Sequence, residues 1–362
     1  MPSLNGGGAE RVMSILACGF AARGLTVDLV LVNATGPYLA NIPSTVRIVD
    51  LKSRRVLSSL PSLVRYLRRE RPSALLATLS HANIVALCAV AMSRVPVRTV
   101  IRQPNMLNLG VGRKEAFKAR AIAWVLKHVA PLADVVVALN KTMADELLDV
   151  TSLKSERVRI INNPVPIERI LAEANEPMED SWFASDQPPV ILGVGRLTYQ
   201  KGFASLIDAF ALVRRQQPAR LVILGEGELR QELEARINEH GLKDDVALPG
   251  FESNPYKYMR RAAVFVLPSR WEGFPNAIVE AMACGLKVVA ADCPGGVGEI
   301  LDNGRWGGLV PVGDSRALAG AIADSLNSAR SPDVQKRARA YCLDNVVDQY
   351  MAVLLPEECV SM

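Results

Sequence analysis

Two glutamates stand eight residues apart in Glu272-Gly-Phe-Pro-Asn-Ala-Ile-Val-Glu280, a run that continues Ala-Met-Ala-Cys-Gly285. Pro275 suits a first helical turn, where its missing N–H would be unpaired in any case. Gly285 suits the left-handed position that ends a helix. The spacing therefore predicts a helix with Glu272 just before it and Glu280 about two turns inside it. Both carboxylates then lie near one helix mouth, where free backbone N–H groups attract phosphate. Carboxylates repel phosphate but accept hydrogen bonds from sugar hydroxyls. Amide donors flanked by such acceptors suit a sugar nucleotide. Two isolated glutamates would read more simply as a helix-start charge beside a solvated face, so the neighbouring motifs decide.

Gly193-Val-Gly-Arg-Leu-Thr-Tyr-Gln-Lys-Gly202 follows an apolar strand and precedes a helix. Arg196 and Lys201 can set two cations on a diphosphate at a domain cleft. Fixed cations lower the barrier to cleaving a glycosidic bond to a nucleoside diphosphate, because the leaving oxygen gains charge. Solvated charges on a helix-entry loop are the plainer alternative, and the Glu272 motif downstream tips the choice towards function. Gly225-Glu-Gly227 lacks the third glycine of a dinucleotide fingerprint and reads as a tight strand-to-helix turn. Pro294-Gly-Gly-Val-Gly-Glu299 fits either a close approach to ligand or an ordinary turn. In the first half, Gly6, Gly7 and Gly8 can let the chain approach a phosphate or sugar. His81, in Ser80-His-Ala-Asn83, stands at the C-terminal end of a strand, where α/β ligand sites form; a hydrogen-bonded structural histidine is the alternative.

The Glu272–Glu280 segment resembles the Glu-x7-Glu signature of retaining glycosyltransferases of family 4, which have the two-domain GT-B fold. The resemblance runs from Leu4 to the last helix and is strongest over Gly193–Leu301. It implies that Glu272 contacts hydroxyls of the transferred sugar and Glu280 the nucleotide ribose, with Asn276 and Ile278 on the same substrate-binding helix. It implies a donor pyrophosphate on Arg196 and Lys201, a base held by backbone groups near Phe251, and a sugar- or acceptor-contacting His81. Gly7-Gly-Ala-Glu-Arg11 resembles transferases that build lipid-linked oligosaccharides. Transfer in this family is thought to occur on one face of the sugar without an established covalent intermediate. No Asp-x-Asp metal clamp is visible, and metal-independent activity without a cofactor is expected.

At 362 residues the chain exceeds one ordinary core, and two domains are expected. With 49% hydrophobic and 22% charged residues it reads as globular. Its six cysteines, at 18, 88, 284, 293, 342 and 359, show neither Cys-x-x-Cys nor histidines at metal-ligand spacing. They predict a reducing cytoplasm and neither disulfide nor zinc framework. No apolar run reaches the length of a membrane span. Residues 1–170 carry 23 Lys and Arg against 11 Asp and Glu, a balance of +12, and the remainder 19 against 26, a balance of −7. Lys52–Arg71 holds seven cations among Leu, Val and Tyr. Arg113–Lys127 adds five near Phe117 and Trp124. Basic residues mixed with interfacial aromatics suit an anionic leaflet, although Leu60, Leu63, Val64 and Leu67 fit a core-facing helix equally well. The expectation is a cytoplasmic protein peripheral on the inner face of the cell membrane, its partners a nucleotide sugar and a lipid-linked acceptor. Nucleic acid is the poorer partner, since there is no recognition motif.

These residues need a scaffold, and the chain supplies one. Short apolar runs alternate with amphipathic stretches: strands at Val190–Val194, Leu221–Leu224, Val246–Leu248, Ala263–Leu267 and Val288–Ala291, with a helical stripe of Phe203, Leu206, Ile207, Phe210 and Val213. The first half repeats the scheme near Val27–Val32, Ala74–Thr78, Val97–Ile101 and Val135–Ala138. Continuous apolar strands between helices mean parallel sheets covered on both faces. The pattern gives the fold class α/β, and the resemblance implies GT-B, two Rossmann-like doubly wound domains facing a central cleft. The expected division is 1–163, 164–345 and a helix in 346–362 crossing back to the first domain, with a hinge at Asn162–Pro166. In relatives an apolar strand precedes the loop at Leu4–Val12, and here only Met1-Pro-Ser does. A truncation by a misplaced start codon is the expectation. The expected function is transfer of a UDP-linked sugar, with a lean to N-acetylhexosamine, onto a polyprenyl-diphosphate-linked saccharide in cell-surface glycan synthesis. The alternatives are a glycolipid mannosyltransferase, a GT-B sugar-nucleotide epimerase and an inactive donor-binding protein.

Overall fold

A computed structural model describes all residues except 6, 108–112, 179, 185, 329–331 and 357–362, with the backbone alone for 113–119. The chain forms two compact units, one of Met1–Pro164 with Leu343–Met362, the other of Val165–Cys342.

Unit 2 is built on strands β7 (Val190–Val194), β8 (Arg220–Leu224), β9 (Val246–Gly250), β10 (Val264–Leu267), β11 (Lys287–Ala291) and β12 (Gly308–Val310). They form one parallel sheet in the order β12-β11-β10-β7-β8-β9. Its helices are α6 (Ile167–Ala174), α7 (Phe203–Gln216), α8 (Arg230–Glu239), α9 (Tyr256–Met259), α10 (Asn276–Ala283), α11 (Val297–Ile300), α12 (Ser315–Asn327) and α13 (Val334–Ala338). The predicted stripe on α7 is wholly buried, joined by Leu318 and Ile322 of α12 and Leu233 and Ile237 of α8. Each such side chain stabilises the unit by about 1.5–3 kcal/mol. Helices α6, α9, α10 and α13 pack together as a second group. Strand ends differ from the sequence expectation by a residue or two, as hydrogen-bonded ends commonly do.

Unit 1 contains β1 (Val27–Leu31), β2 (Val46–Asp50), β3 (Ala74–Thr78), β4 (Arg98–Arg102), β5 (Val135–Ala138) and β6 (Val158–Ile160). Its helices are α1 (Gly8–Ala22), α2 (Leu60–Glu70), α3 (Ser80–Ser93), α4 (Arg113–Val129), α5 (Lys141–Val150) and α14 (Leu343–Leu354). All pairings are parallel, but they make two sheets, β1-β2 and β3-β4-β5-β6. A cavity of about 810 Å³ lies where β1 and β3 fail to meet. Helix α14 closes the unit by setting Val346, Val347 and Tyr350 against Val12, Leu16 and Phe20 of α1. Arg23 adds ion pairs to Asp344, at 2.9 Å, and Asp348.

The apolar stripe of α2 is spent inside the unit. Leu63, Val64 and Leu67 are buried against Val85 and Ala89 of α3, and Arg68 donates to the carbonyls of Met92 and Ser93. Of the two sequence readings of this helix, the core-facing one describes its apolar side. Lys52, Arg54, Arg55, Arg65, Arg69 and Arg71 stay exposed, with Leu57 75% exposed beside them. In the second basic stretch Arg120, Trp124 and Lys127 are exposed, whereas the side chain of Phe117 lies outside the described residues.

Candidate functional site

In unit 2 two loops at the C-terminal ends of β7 and β10 lock together. Arg270 N–H donates to Gln200 O at 2.8 Å, and Gln200 Nε2 returns a bond to Trp271 O at 2.9 Å. The Arg270 guanidinium stacks 4.3 Å above the Tyr199 ring. Between these loops Lys201 Nζ meets Glu272 Oε1 at 2.6 Å, and Ser269 Oγ donates to the same oxygen at 2.7 Å. Glu272 is 5% exposed, and such charge-assisted bonds are what make a buried carboxylate tolerable. Oε2 carries no protein hydrogen bond among the described residues, and it is not a sealed orphan. One oxygen is thus held by the protein while the other can accept a hydroxyl. The Cys293 thiol nearby is pushed up to about 12 by burial and then by the Glu272 charge. It stays protonated at neutral pH and offers no nucleophile.

Glycines make this packing possible. Gly295 has φ +123°, and a Cβ there would lie 1.9 Å from Glu272 O. The close approach offered by Pro294-Gly-Gly is therefore to the backbone of Glu272, which also donates its N–H to Pro294 O at 3.0 Å. Gly225, at φ +140°, would place a Cβ 1.9 Å from Gly195 O. Its turn is a brace under the Gly193–Gly202 loop, in line with the tight-turn reading.

Helix α10 starts at Asn276, so Glu280 is its fifth residue, just over one turn in rather than two. The helix ends in a Schellman motif: Leu286 N–H donates to Ala281 O and Gly285 N–H to Met282 O, each at 3.0 Å. Glu280 is buried on α10, and Asn276 is half-buried at its first turn. Ile278 is fully buried, and its N–H bonds Pro275 O at 3.0 Å. Its side chain packs in the core. Arg196 is exposed at the mouth of its loop. Phe251 follows β9 and is 81% exposed.

In unit 1, Gly7 caps α1 and its N–H bonds Glu10 Oε2 at 2.9 Å. Gly8 opens the helix, and a Cβ added to it would meet nothing within 4 Å. Gly6 lies outside the described residues. His81 is the second residue of α3 and exposed. Partial desolvation, followed by the Met1 ammonium, lowers its pKa, so the neutral imidazole prevails at pH 7. Leu79 just before the helix has φ +75°, a backbone conformation that costs a non-glycine residue on the order of 1–3 kcal/mol.

Sequence reasoning passed over Ser269, whose hydroxyl fixes Glu272. It also passed over a buried polar group at the C-terminal ends of β3 and β4. There Arg102 donates to Thr78 Oγ1 at 3.0 Å and to Asn163 Oδ1, while Asn83 Nδ2 donates to Arg102 O at 3.0 Å. A polar residue ending an otherwise apolar strand, as Arg102 ends β4, was the signal available.

Residues 6–169 match the family described as Glycosyltransferase Family 4, and residues 175–341 match Glycosyl transferases group 1. The chain is 32% identical over 273 residues to the N-acetylgalactosamine-N,N'-diacetylbacillosaminyl-diphospho-undecaprenol 4-alpha-N-acetylgalactosaminyltransferase of Campylobacter jejuni, a match over 73% of this chain and 71% of that protein. It is 30% identical over 300 residues to the amylovoran biosynthesis glycosyltransferase AmsD of Erwinia amylovora, over 83% and 81% of the two chains. Among solved structures, Anabaena HepE in complex with UDP and glucose superimposes with a TM-score of 0.81 at 22% identity, covering 98% of each chain. Sucrose-phosphate synthase from Thermosynechococcus elongatus gives 0.80 at 22% identity, over 98% and 94%. The structural likenesses establish the GT-B fold, and the sequence matches span both units. The chain belongs to the glycosyltransferases of family 4.

Proposed function

We propose that the protein is a retaining glycosyltransferase that moves an N-acetylhexosamine from a UDP-linked donor onto a polyprenyl-diphosphate-linked saccharide in cell-surface glycan synthesis. The observation that carries this reading is the Lys201–Glu272–Ser269 arrangement, which holds one carboxylate oxygen and leaves the other to a sugar hydroxyl. The printed activity of the Campylobacter relative supports the sugar and the acceptor, and the UDP held by HepE supports the nucleotide.

Glu272 Oε2 orients the sugar, Glu280 takes the ribose, backbone near Phe251 the base, and Arg196 with Lys201 the diphosphate. When the glycosidic bond breaks, its electron pair goes to the diphosphate oxygen, and the two cations stabilise that charge. The acceptor oxygen bonds to the same face of the sugar that the diphosphate leaves, and its proton passes to the departing diphosphate oxygen. Lys201 is already preorganised by Glu272, so donor binding redistributes an existing ion pair instead of ordering a loose side chain. This division of labour needs no metal ion. Gly7, Gly8 and neutral His81 are the contacts from unit 1.

The exposed cations from Lys52 to Arg71 would each add about 1 kcal/mol at an anionic surface. Neutralising Arg54, Arg55 and Arg65 should release the protein from anionic liposomes, as should salt; unchanged binding would remove the membrane from the proposal. Arg68 is a poor choice for that test because it ties α2 to α3.

One observation favours a second reading. The split sheet of unit 1, beside an intact unit 2, suits a protein that binds donor without transferring it. A screen of UDP- and GDP-sugars against membrane lipid extract, with and without chelator, separates the two. One sugar transferred, with turnover lower by about 10²–10³-fold in Glu272→Gln, supports transfer. Donor binding without any product would favour the second reading.

A further inference from the structure

The turn from β3 into α3 is strained, and buried polar groups hold it on both sides. Leu79 sits at φ +75° and ψ 128°, outside the regions open to a residue with a Cβ. Such backbone persists only where its surroundings over-determine it. Two consecutive residues at the end of β4 do so here. Thr78, just before Leu79, stands opposite Arg102 in the β3–β4 ladder, and its Oγ1 accepts from Arg102 Nη1 at 3.0 Å. Ser80, just after Leu79, donates to Gln103 Oε1 at 3.2 Å and accepts from Gln103 Nε2 at 3.0 Å. Asn83 closes the turn: its N–H donates to Leu79 O at 2.8 Å, and its Nδ2 to Arg102 O at 3.0 Å. Gln103 is fixed in turn, with Nε2 on Asn105 O and its N–H on Val137 O, each at 2.9 Å.

Stability alone does not account for this arrangement. Arg102 is 1% exposed, and among the described residues no carboxylate pairs with it. Its two terminal nitrogens go to the neutral oxygens of Thr78 and Asn163, and Nε makes no hydrogen bond among the described residues. A buried cation without a counter-charge costs more than an apolar side chain of similar volume. Arginine cannot avoid that cost by losing its proton. A strand end that needed only packing would carry Leu or Met. Backbone strain and an uncompensated charge thus coincide at one turn, and the residue that this turn delivers is His81, exposed in the first turn of α3.

We propose that Arg102 and Gln103 are positioning residues, a clamp on the Thr78–Leu79–Ser80 turn that presents His81 to substrate in one orientation. The guanidinium fork suits this task, because one side chain reaches Thr78 and Asn163 together. The turn is thereby tied to the segment that follows β6. Contact between His81 and substrate rests on the reaction proposed above; the clamp does not.

The test uses the full chain. Arg102→Lys keeps the charge and loses the fork, and Gln103→Met keeps the shape and loses both bonds to Ser80. In each variant the His81 ring signal in NMR, one of three histidine signals, should move or split. Turnover should fall by about 10²-fold, with UDP affinity unchanged because its proposed contacts lie in unit 2. Leu79→Gly supplies a rescue, since glycine adopts a positive φ without strain. Alone it should behave like the parent chain; added to Arg102→Lys it should restore about tenfold of the lost turnover. A role in packing alone would lower Tm, leave the His81 signal of the folded protein in place and give no rescue. An unmoved His81 signal in both single variants would overturn the proposal, as would a double variant no better than Arg102→Lys. If Arg102→Lys does not fold, Gln103→Met decides by the same signal. A parent chain that transfers no sugar would remove the reaction, and the His81 signal would still decide the clamp.

Discussion

The two units solve the same problem with different completeness. In unit 2 six parallel strands form one sheet, and the loops that leave it brace one another through Gln200, Arg270 and Tyr199. In unit 1 six strands form two sheets, and the loop before α1 follows Met1–Leu4, which bonds Val30 of β1 and Val32, Asn33, Thr35 and Tyr38 beyond it. A polar constellation is as exact as the backbone beneath it, because Lys201 and Glu272 can meet at 2.6 Å only if two loops 71 residues apart are held in register. The comparison teaches that Lys201 and Glu272 are held on loops of one unbroken sheet, whereas Gly7 and Gly8 stand beside a sheet split in two.

The largest effect should come from breaking the intact side. Gly295→Val puts a side chain where a Cβ would lie 1.9 Å from Glu272 O, at a φ of +123°. The backbone of one loop must move, at a cost on the order of 4 kcal/mol. Chemical denaturation should show that loss together with the loss of nucleotide binding. A full-stability variant that still binds would mean that the Glu272 loop is not set by this contact.

A smaller effect, on the order of 2–3 kcal/mol, tests the incomplete side through pH. The Met1 amine has an ordinary pKa of 8.0, and about 6 when folded. Between pH 8 and pH 6 the unfolded chain carries the proton and the folded chain does not, so stability falls as pH falls through that window. Below about 6 both states are protonated and the loss is complete. Acetylating Met1 should remove this slope, read as the difference between two urea-denaturation series across pH 6–8. Identical slopes would show that the amine reaches water.

Much of the frame could be read from the chain, and the reason lies in spacing. Glu272 and Glu280 sit within one local element, and the α7 stripe repeats at helical period, so neither needs a tertiary contact to be seen. Ser269 was missed because its partner lies round a loop corner and a serine after Pro268 looks like any turn. Arg102, Thr78 and Asn163 come from three separate segments, and no periodicity links them. Helix α2 was ambiguous for a physical reason: an apolar stripe with arginines opposite suits a core and a leaflet alike, and only the packing of Leu63, Val64 and Leu67 against α3 settles that stripe.

The smallest expected change in stability separates packing from function most cleanly. Gly8 has no positive φ, and a Cβ there meets nothing within 4 Å. Nothing in the protein itself requires glycine at the first residue of α1. Gly8→Ala should therefore stabilise the chain by about 0.4–1 kcal/mol, mainly by restricting the unfolded state. If a sugar or phosphate approaches this backbone, the same methyl group should lower turnover or raise KM. A stabilised variant with impaired transfer would assign the open space above Gly8 to a ligand, since a structural role would move both quantities the same way. A stabilised variant with unchanged kinetics would leave the glycine without a functional account and shift the weight of the site to unit 2.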